Sequence, residues 1–251
     1  METLAHEKIR SAGPREGTQL SACVTCPHRE AGFCAEAFRL VSPELRINEG
    51  GPKFVTVASG KQILAQGGSS DHIFVLCSGW AFRYVQLSDG NRQIHKFLLP
   101  GDLFSSTSIF EDVAHFSARA LTSVQICMFA RSEFREKCFT DREFQSAIAR
   151  SWVADARDTA GLIAVLGRRS AEQRIAYLFL HLIQRIAAHH VIRERRYPLP
   201  LRQQHIADAV GLTPVHVSRV LSTFRERGIA WFSDGVLEIL DFPELERMGL
   251  L

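Results

Sequence analysis

No apolar run in this 251-residue sequence approaches the length needed to cross a bilayer. The first residues, Met1-Glu2-Thr3-Leu4-Ala5-His6-Glu7, lack the basic-then-apolar layout of a secretory leader, so a cytoplasmic protein with no membrane partner is expected. Arrangements that would announce an enzyme are missing too. There is no phosphate-cradling glycine loop, no Ser-His-Asp set and no paired carboxylates, and the ten histidines do not gather as a catalytic metal site. Lysine is absent between Arg168 and Leu240, where eleven arginines face six acidic residues, a local charge of +5 in a chain whose net charge is +3. A basic carboxy-terminal module suits a polyanionic partner. Hydrophobic residues make up 46% and charged residues 23%, which places the chain among globular proteins, with length for two domains.

Cysteine is scarce but patterned. Cys23, Cys26 and Cys34 form a Cys-x2-Cys-x7-Cys cluster, and Cys127 stands alone about a hundred residues later. In a reducing compartment disulfides are rare, so metal ligation, redox chemistry or simple burial is the better reading. Four thiolates suit a tetrahedral sulfur site holding iron–sulfur or zinc, and Cys-x2-Cys can present two sulfurs to one metal from a single turn. His28 could replace one ligand. Cys77, in a strand, and Cys138, near the start of a helix, read as small core residues.

From about Ile47 to Phe129 the chain consists of short β-like runs broken by turn signals. Ile73-Phe74-Val75-Leu76 ends at Ser78-Gly79, Trp80 to Leu87 stops at Ser88-Asp89-Gly90-Asn91, and Ile94 to Leu99 stops at Pro100-Gly101-Asp102. Ala120 to Phe129 reads as one last strand. This texture predicts a small antiparallel barrel, roll or sandwich. The period then lengthens. Ile148, Trp152, Ala156, Thr159, Ile163 and Leu166 recur at three and four, an apolar stripe on one long helix that predicts a dimer seam. A second helix, carrying Ile175, Leu178, Phe179, Leu182, Ile183 and Ile186, is too apolar to face DNA and is read as core. Arg193 to Pro200 is read as a polar connector.

Residues 203–222 carry a helix-turn-helix pattern. Ala207 is small enough for two helices to approach, Gly211 permits the positive φ of the turn, and Thr213-Pro214 is a cap followed by a preferred first helical residue. On the second helix Val217, Val220, Leu221 and Phe224 are assigned to the core. Val215, His216, Arg219 and Ser222 are assigned outward, with Ser218 flanking them. Arg219 can make a bidentate contact to guanine, and Thr213 and Ser218 can donate to phosphate. Ile229 to Ile239 reads as two short strands around Ser233-Asp234-Gly235, a wing.

Leu76-Cys77-Ser78-Gly79-Trp80, Asp89-Gly90, Leu99-Pro100-Gly101-Asp102, Ser170-Ala171-Glu172-Gln173-Arg174, Gly211-Leu212-Thr213 and Val217-Ser218-Arg219 together resemble the CRP/FNR superfamily of transcription regulators. The resemblance implies an α+β fold with four parts. These are an N-terminal cysteine-bearing arm (1–45), an antiparallel β-roll (46–135), a dimerisation helix (136–167) and a winged helix-turn-helix (168–251). It implies a homodimer on a palindromic double-stranded DNA site, with RNA polymerase as a further partner, and no enzymatic activity.

Within the superfamily, the cyclic-nucleotide branch uses a Glu and an Arg-Ser pair to clamp its ligand. The matching positions here fall near Ser106 and Phe116-Ser117, so cyclic AMP is not expected as effector. The FNR-like branch is the closer resemblance. It implies a 4Fe-4S cluster held by Cys23, Cys26, Cys34 and Cys127, sensing oxygen or redox state to control anaerobic or microaerobic genes. Other inputs on the same fold would be haem-bound nitric oxide, a small effector, zinc or thiol oxidation. One departure concerns the DNA target: FNR-like recognition helices carry Glu where Val215 stands, and valine suits a thymine methyl rather than cytosine N4.

Overall fold

The computed structural model describes residues 32–34, 53–187 and 195–250. Among the described residues of the amino-terminal half, seven strands form: β1 (Lys53–Val57), β2 (Gln62–Leu64), β3 (His72–Ser78), β4 (Ala81–Gln86), β5 (Arg92–Leu98), β6 (Ser117–Ala120) and β7 (Val124–Ala130). They form two antiparallel sheets, ordered β1-β7-β3 and β2-β6-β4-β5. The expected strand from Ala120 to Phe129 is in fact two. Trp80 holds the break by accepting Leu121 N–H and Thr122 N–H at its carbonyl, at 2.8 and 3.2 Å, so β6 and β7 enter different sheets. Gly79, at φ +79°, makes that crossing possible: a Cβ there would lie 2.3 Å from the Ser123 carbonyl oxygen.

Strand alternation separates three packed clusters. Phe74, Leu76, Ala81 and Leu98 point into the roll, with Phe104 and Ile126. Ile73, Val75 and Cys127 point to the opposite side of the first sheet, where Phe134, Phe144 and Ile148 cover them. Phe82, Tyr84, Ile94 and Phe97 lie on the outside of the second sheet, yet they are buried together with the carboxy-terminal half.

Two helices, not one, follow the roll. α1 (Arg131–Thr140) ends at Asp141, whose carboxylate accepts the amides of Glu143 and Phe144 at 3.0 Å and so starts α2 (Arg142–Arg168). The dimerisation helix assigned to 136–167 therefore begins at 142, and Cys138 belongs to the last turns of α1 rather than to a helix start. The apolar stripe also divides. Ile148 is buried against the roll, and Trp152 is half-buried with its indole N–H bonded to Ser106. The outward face of α2 instead presents Ala149, Val153, Ala156, Ala160, Ile163 and Gly167, at alternating spacings of four and three. Val153 is 69% and Ile163 65% exposed.

The remainder is α3 (Ala171–Ala187), β8 (Arg196–Pro198), α4 (Gln203–Val210), α5 (Pro214–Glu226), β9 (Ala230–Ser233), β10 (Val236–Ile239) and α6 (Phe242–Gly249). As its composition suggested, α3 is core: Ile175, Phe179 and Leu182 are fully enclosed. The wing has three strands, ordered β8-β10-β9, not two. Its extra strand comes from the segment read as a connector, because Leu237 pairs with Tyr197 as well as with Phe232.

Candidate DNA interface and cysteine centre

The recognition element is built by local rules. α4 stops at Gly211, which is left-handed at φ +65°; a Cβ there would have room, so backbone conformation and not space selects glycine. Thr213 then caps α5, its hydroxyl accepting His216 N–H at 3.2 Å, and Pro214 fills the first helical position. Three-residue geometry turns Val217, Val220 and Phe224 inward, where all three are buried. The opposite face is exposed and presents Val215, His216, Ser218, Arg219 and Ser222, with Thr213 exposed at its start. The helix N-terminus adds amide donors suited to phosphate. Beyond the residues singled out from sequence, Arg225 on α5 and Arg196 on the wing are also exposed. Arg196 escaped notice because it sat in the supposed connector.

Of the four cysteines expected to form a metal centre, Cys23 and Cys26 lie outside the described residues, as does His28. The other two share one hydrophobic cluster. Cys127, buried in β7, lies opposite Phe54 of β1 and Val75 of β3, and Cys34 packs against the same cluster. Phe33 anchors the short helical triplet 32–34. Its ring meets Phe134 and Phe144, each at 6.1 Å between centroids, and its N–H donates to the Gly101 carbonyl at 2.9 Å. Cys77 packs against this cluster and Cys138 is buried within it, and burial pushes the Cys138 thiol up. Among the described residues no three Cys, His, Asp or Glu side chains gather as a metal site.

The positions matching the cyclic-nucleotide clamp are occupied by the protein itself. Ser106 and Ser117 are buried; Trp152 donates to Ser106 Oγ at 2.9 Å and Ser117 Oγ accepts Gln66 N–H at 3.0 Å. Phe116 lies under the Arg83 guanidinium, 4.9 Å from its ring, and that arginine is committed to Asp155 of α2 at 3.0 Å. Lys96 joins the same carboxylate.

Roll and winged domain are held by more than the α2–α3 connection. Arg92 pairs with Asp208 at 2.5 Å, Gln93 donates to the Ala209 carbonyl at 2.9 Å, and Phe82 contacts the His205 ring. His205 is held down to about 4 by burial and by Arg92, and its Nδ1 accepts Arg202 N–H at 3.0 Å, which requires that nitrogen unprotonated.

Residues 54–141 match the family described as cyclic nucleotide-binding domain, and residues 173–248 the Crp-like helix-turn-helix domain. The chain is 34% identical over 200 residues to the nitrogen fixation regulation protein FixK of Rhizobium meliloti, covering 78% of this chain and 87% of that one. It is 27% identical over 216 residues to the transcriptional activator protein FnrL of Cereibacter sphaeroides, covering 84% and 85%. The structure of FixK2 from Bradyrhizobium japonicum superposes with a TM-score of 0.73 at 23% identity, over 80% of this chain and 98% of that one. These relatives are regulators, not enzymes, and no described helix is long and apolar enough to cross a membrane.

Proposed function

The chain belongs to the CRP/FNR family of DNA-binding transcription regulators, and from that premise we propose that it senses oxygen or redox state at a cysteine-held iron–sulfur cluster and reports it by occupying a palindromic promoter site as a homodimer. Cys23, Cys26, Cys34 and Cys127 would hold the cluster. A 4Fe-4S cluster, when bound, supplies the oxygen sensitivity. The observation that carries this reading is the packing of Cys34 and Cys127, distant in sequence, against one cluster beneath α1 and α2. Such a centre fastens the arm to the roll where the dimer helix begins.

The chain's own residues do the rest. The exposed small-residue face of α2 pairs two copies, which matches protein symmetry to operator symmetry. Thr213, Ser218 and the α5 N-terminus position the phosphates. Arg219 reads guanine, and Val215 and His216 meet the neighbouring pair, with Ser222 one turn further along. RNA polymerase is the partner through which a bound dimer would act on the genes of anaerobic or microaerobic growth.

Protein purified without oxygen should be brown and should contain iron and acid-labile sulfide. Stoichiometric zinc without iron would replace this reading with a zinc-held arm.

A further inference from the structure

We infer that the Leu99–Asp102 turn couples the cysteine arm to the DNA-binding domain, with Asp102 and Arg185 as the positioning pair. On one side the turn carries the arm. Phe33 N–H bonds the Gly101 carbonyl at 2.9 Å, and the approach is so close that a Cβ on Gly32, at φ +50°, would stand 2.8 Å from that oxygen. The turn is fixed to β3 by Gly101 N–H to the Leu76 carbonyl at 2.7 Å and Leu76 N–H to the Asp102 carbonyl at 3.0 Å. It therefore cannot adjust to the arm without moving its own side chains.

On the other side it carries the winged domain. The Asp102 carboxylate accepts Leu99 N–H at 2.8 Å and Arg185 Nη2 at 2.5 Å, while Arg185 Nη1 donates to the Phe97 carbonyl at 2.7 Å. Arg185 projects from α3, whose Leu182 and Ile186 are buried in the winged domain's core. Both partners of the pair are largely withdrawn from solvent, at 16% and 18% side-chain exposure, so losing one leaves the other poorly hydrated. Burial alone would raise the Asp102 carboxyl, but the charges of Arg185 and Lys96 outweigh it and keep the group ionised.

A continuous bonded path thus runs from residue 33 through Gly101 and Asp102 to Arg185. Another contact between the lobes, Arg92 with Asp208, ties them together off this path and serves as the control. The inference rests on the cysteine reading only for what moves the arm; the linkage itself belongs to the fold.

The test compares full-length wild type with Gly32→Ala, Arg185→Gln and the control Asp208→Asn. Hydrogen exchange followed by mass spectrometry should show Gly32→Ala speeding exchange at least about fivefold in 97–103 and in the last turns of α3. A change confined to 32–34 would overturn the linkage, whether or not any cluster is present. In parallel, binding to a palindromic DNA fragment selected with the wild type is measured before and after exposure to air. Arg185→Gln that keeps its visible spectrum should change affinity less than about twofold where wild type and Asp208→Asn change about tenfold or more. An Arg185→Gln protein as responsive as wild type would also overturn the inference. A colourless, air-insensitive wild type would sink the cysteine reading instead, leaving the exchange result to decide the linkage.

Discussion

Trp152 reaches back from α2 to donate its indole N–H to the hydroxyl of Ser106, 2.9 Å away, inside the region where relatives of this fold would clamp a cyclic nucleotide. With Phe116 beneath Arg83 and Arg83 bound to Asp155, that guanidinium already has its anion. A phosphodiester recruiting Arg83 would have to break a largely buried ion pair and leave Asp155 relying on Lys96. Calorimetry with cyclic AMP at physiological concentrations should therefore give no binding heat. A saturable micromolar isotherm would show that the roll opens in a way its packing does not suggest.

Replacing Cys23, Cys26, Cys34 or Cys127 singly by Ser should bleach anaerobically purified protein and lower its iron and sulfide content. The same change at Cys77 or Cys138 should leave the colour. Cys138 is the sharper control, because it lies in the same hydrophobic cluster as Cys127 yet belongs to α1, and burial pushes its thiol up. Colour lost at Cys138 and kept at Cys34 would exchange their roles.

The outward face of α2 fixes a second expectation. Val153→Glu or Ile163→Glu would set a charge in an apolar seam and should convert dimers to monomers in sedimentation at micromolar concentration. Ile148→Ala acts elsewhere: it empties part of the cluster under α2 and should cost about 2–5 kcal/mol of folding stability without changing the dissociation constant. A dimer unaffected by both glutamates would place the interface away from α2.

On the recognition helix, Arg219→Ala should weaken each half-site by roughly 1–3 kcal/mol and relax selectivity at one base pair. Val215, 62% exposed, should favour a pair presenting a thymine methyl, and Val215→Glu should shift preference toward cytosine. Binding-site selection with the two proteins is the measurement. Identical consensus sequences would mean that residue 215 does not face the bases.

Acidity should loosen the fold. His95 and His205 are both held at about 4, first by burial and then by Arg83 and Arg92 respectively. The unfolded chain takes up these protons near 6.5 and the folded one only near 4, so stability should fall as pH drops through that window. Urea midpoints between pH 7 and 4.5 should show the decline, and His95→Phe should flatten part of it. A midpoint constant across the window would contradict the burial of both rings.

What could be read from the sequence was what local chemistry decides. Gly211, Thr213 and Pro214 specify turn, cap and first helical turn within four residues, and Val217 and Phe224 fall inward by period alone. The α2 stripe was read from its period, which does not tell a face that meets a partner from one that packs on its own domain; its bulkiest apolar residues are Ile148 and Trp152. They fill the chain's own core, and the outward face is made largely of alanine and glycine. The contact of Asp102 with Arg185, 83 residues apart, left no local trace, since nothing near either residue specifies its partner. Strand β8 was missed for the same reason: Pro198 and the arginines before it look like linker until β10 is laid beside them.

Phe82, Tyr84, Ile94 and Phe97 occupy the outer surface of a sheet, where water would ordinarily lie, and the carboxy-terminal lobe seals all four. The two lobes are therefore not separable cartridges. Cut apart between residues 168 and 171, each would present a sticky wound and tend to clump. Heating should melt them in a single cooperative step. Over evolutionary time, a recombination that imports a new DNA-reading lobe would succeed only if it brings a face shaped for these four rings and chains, so the two lobes are bound to drift together.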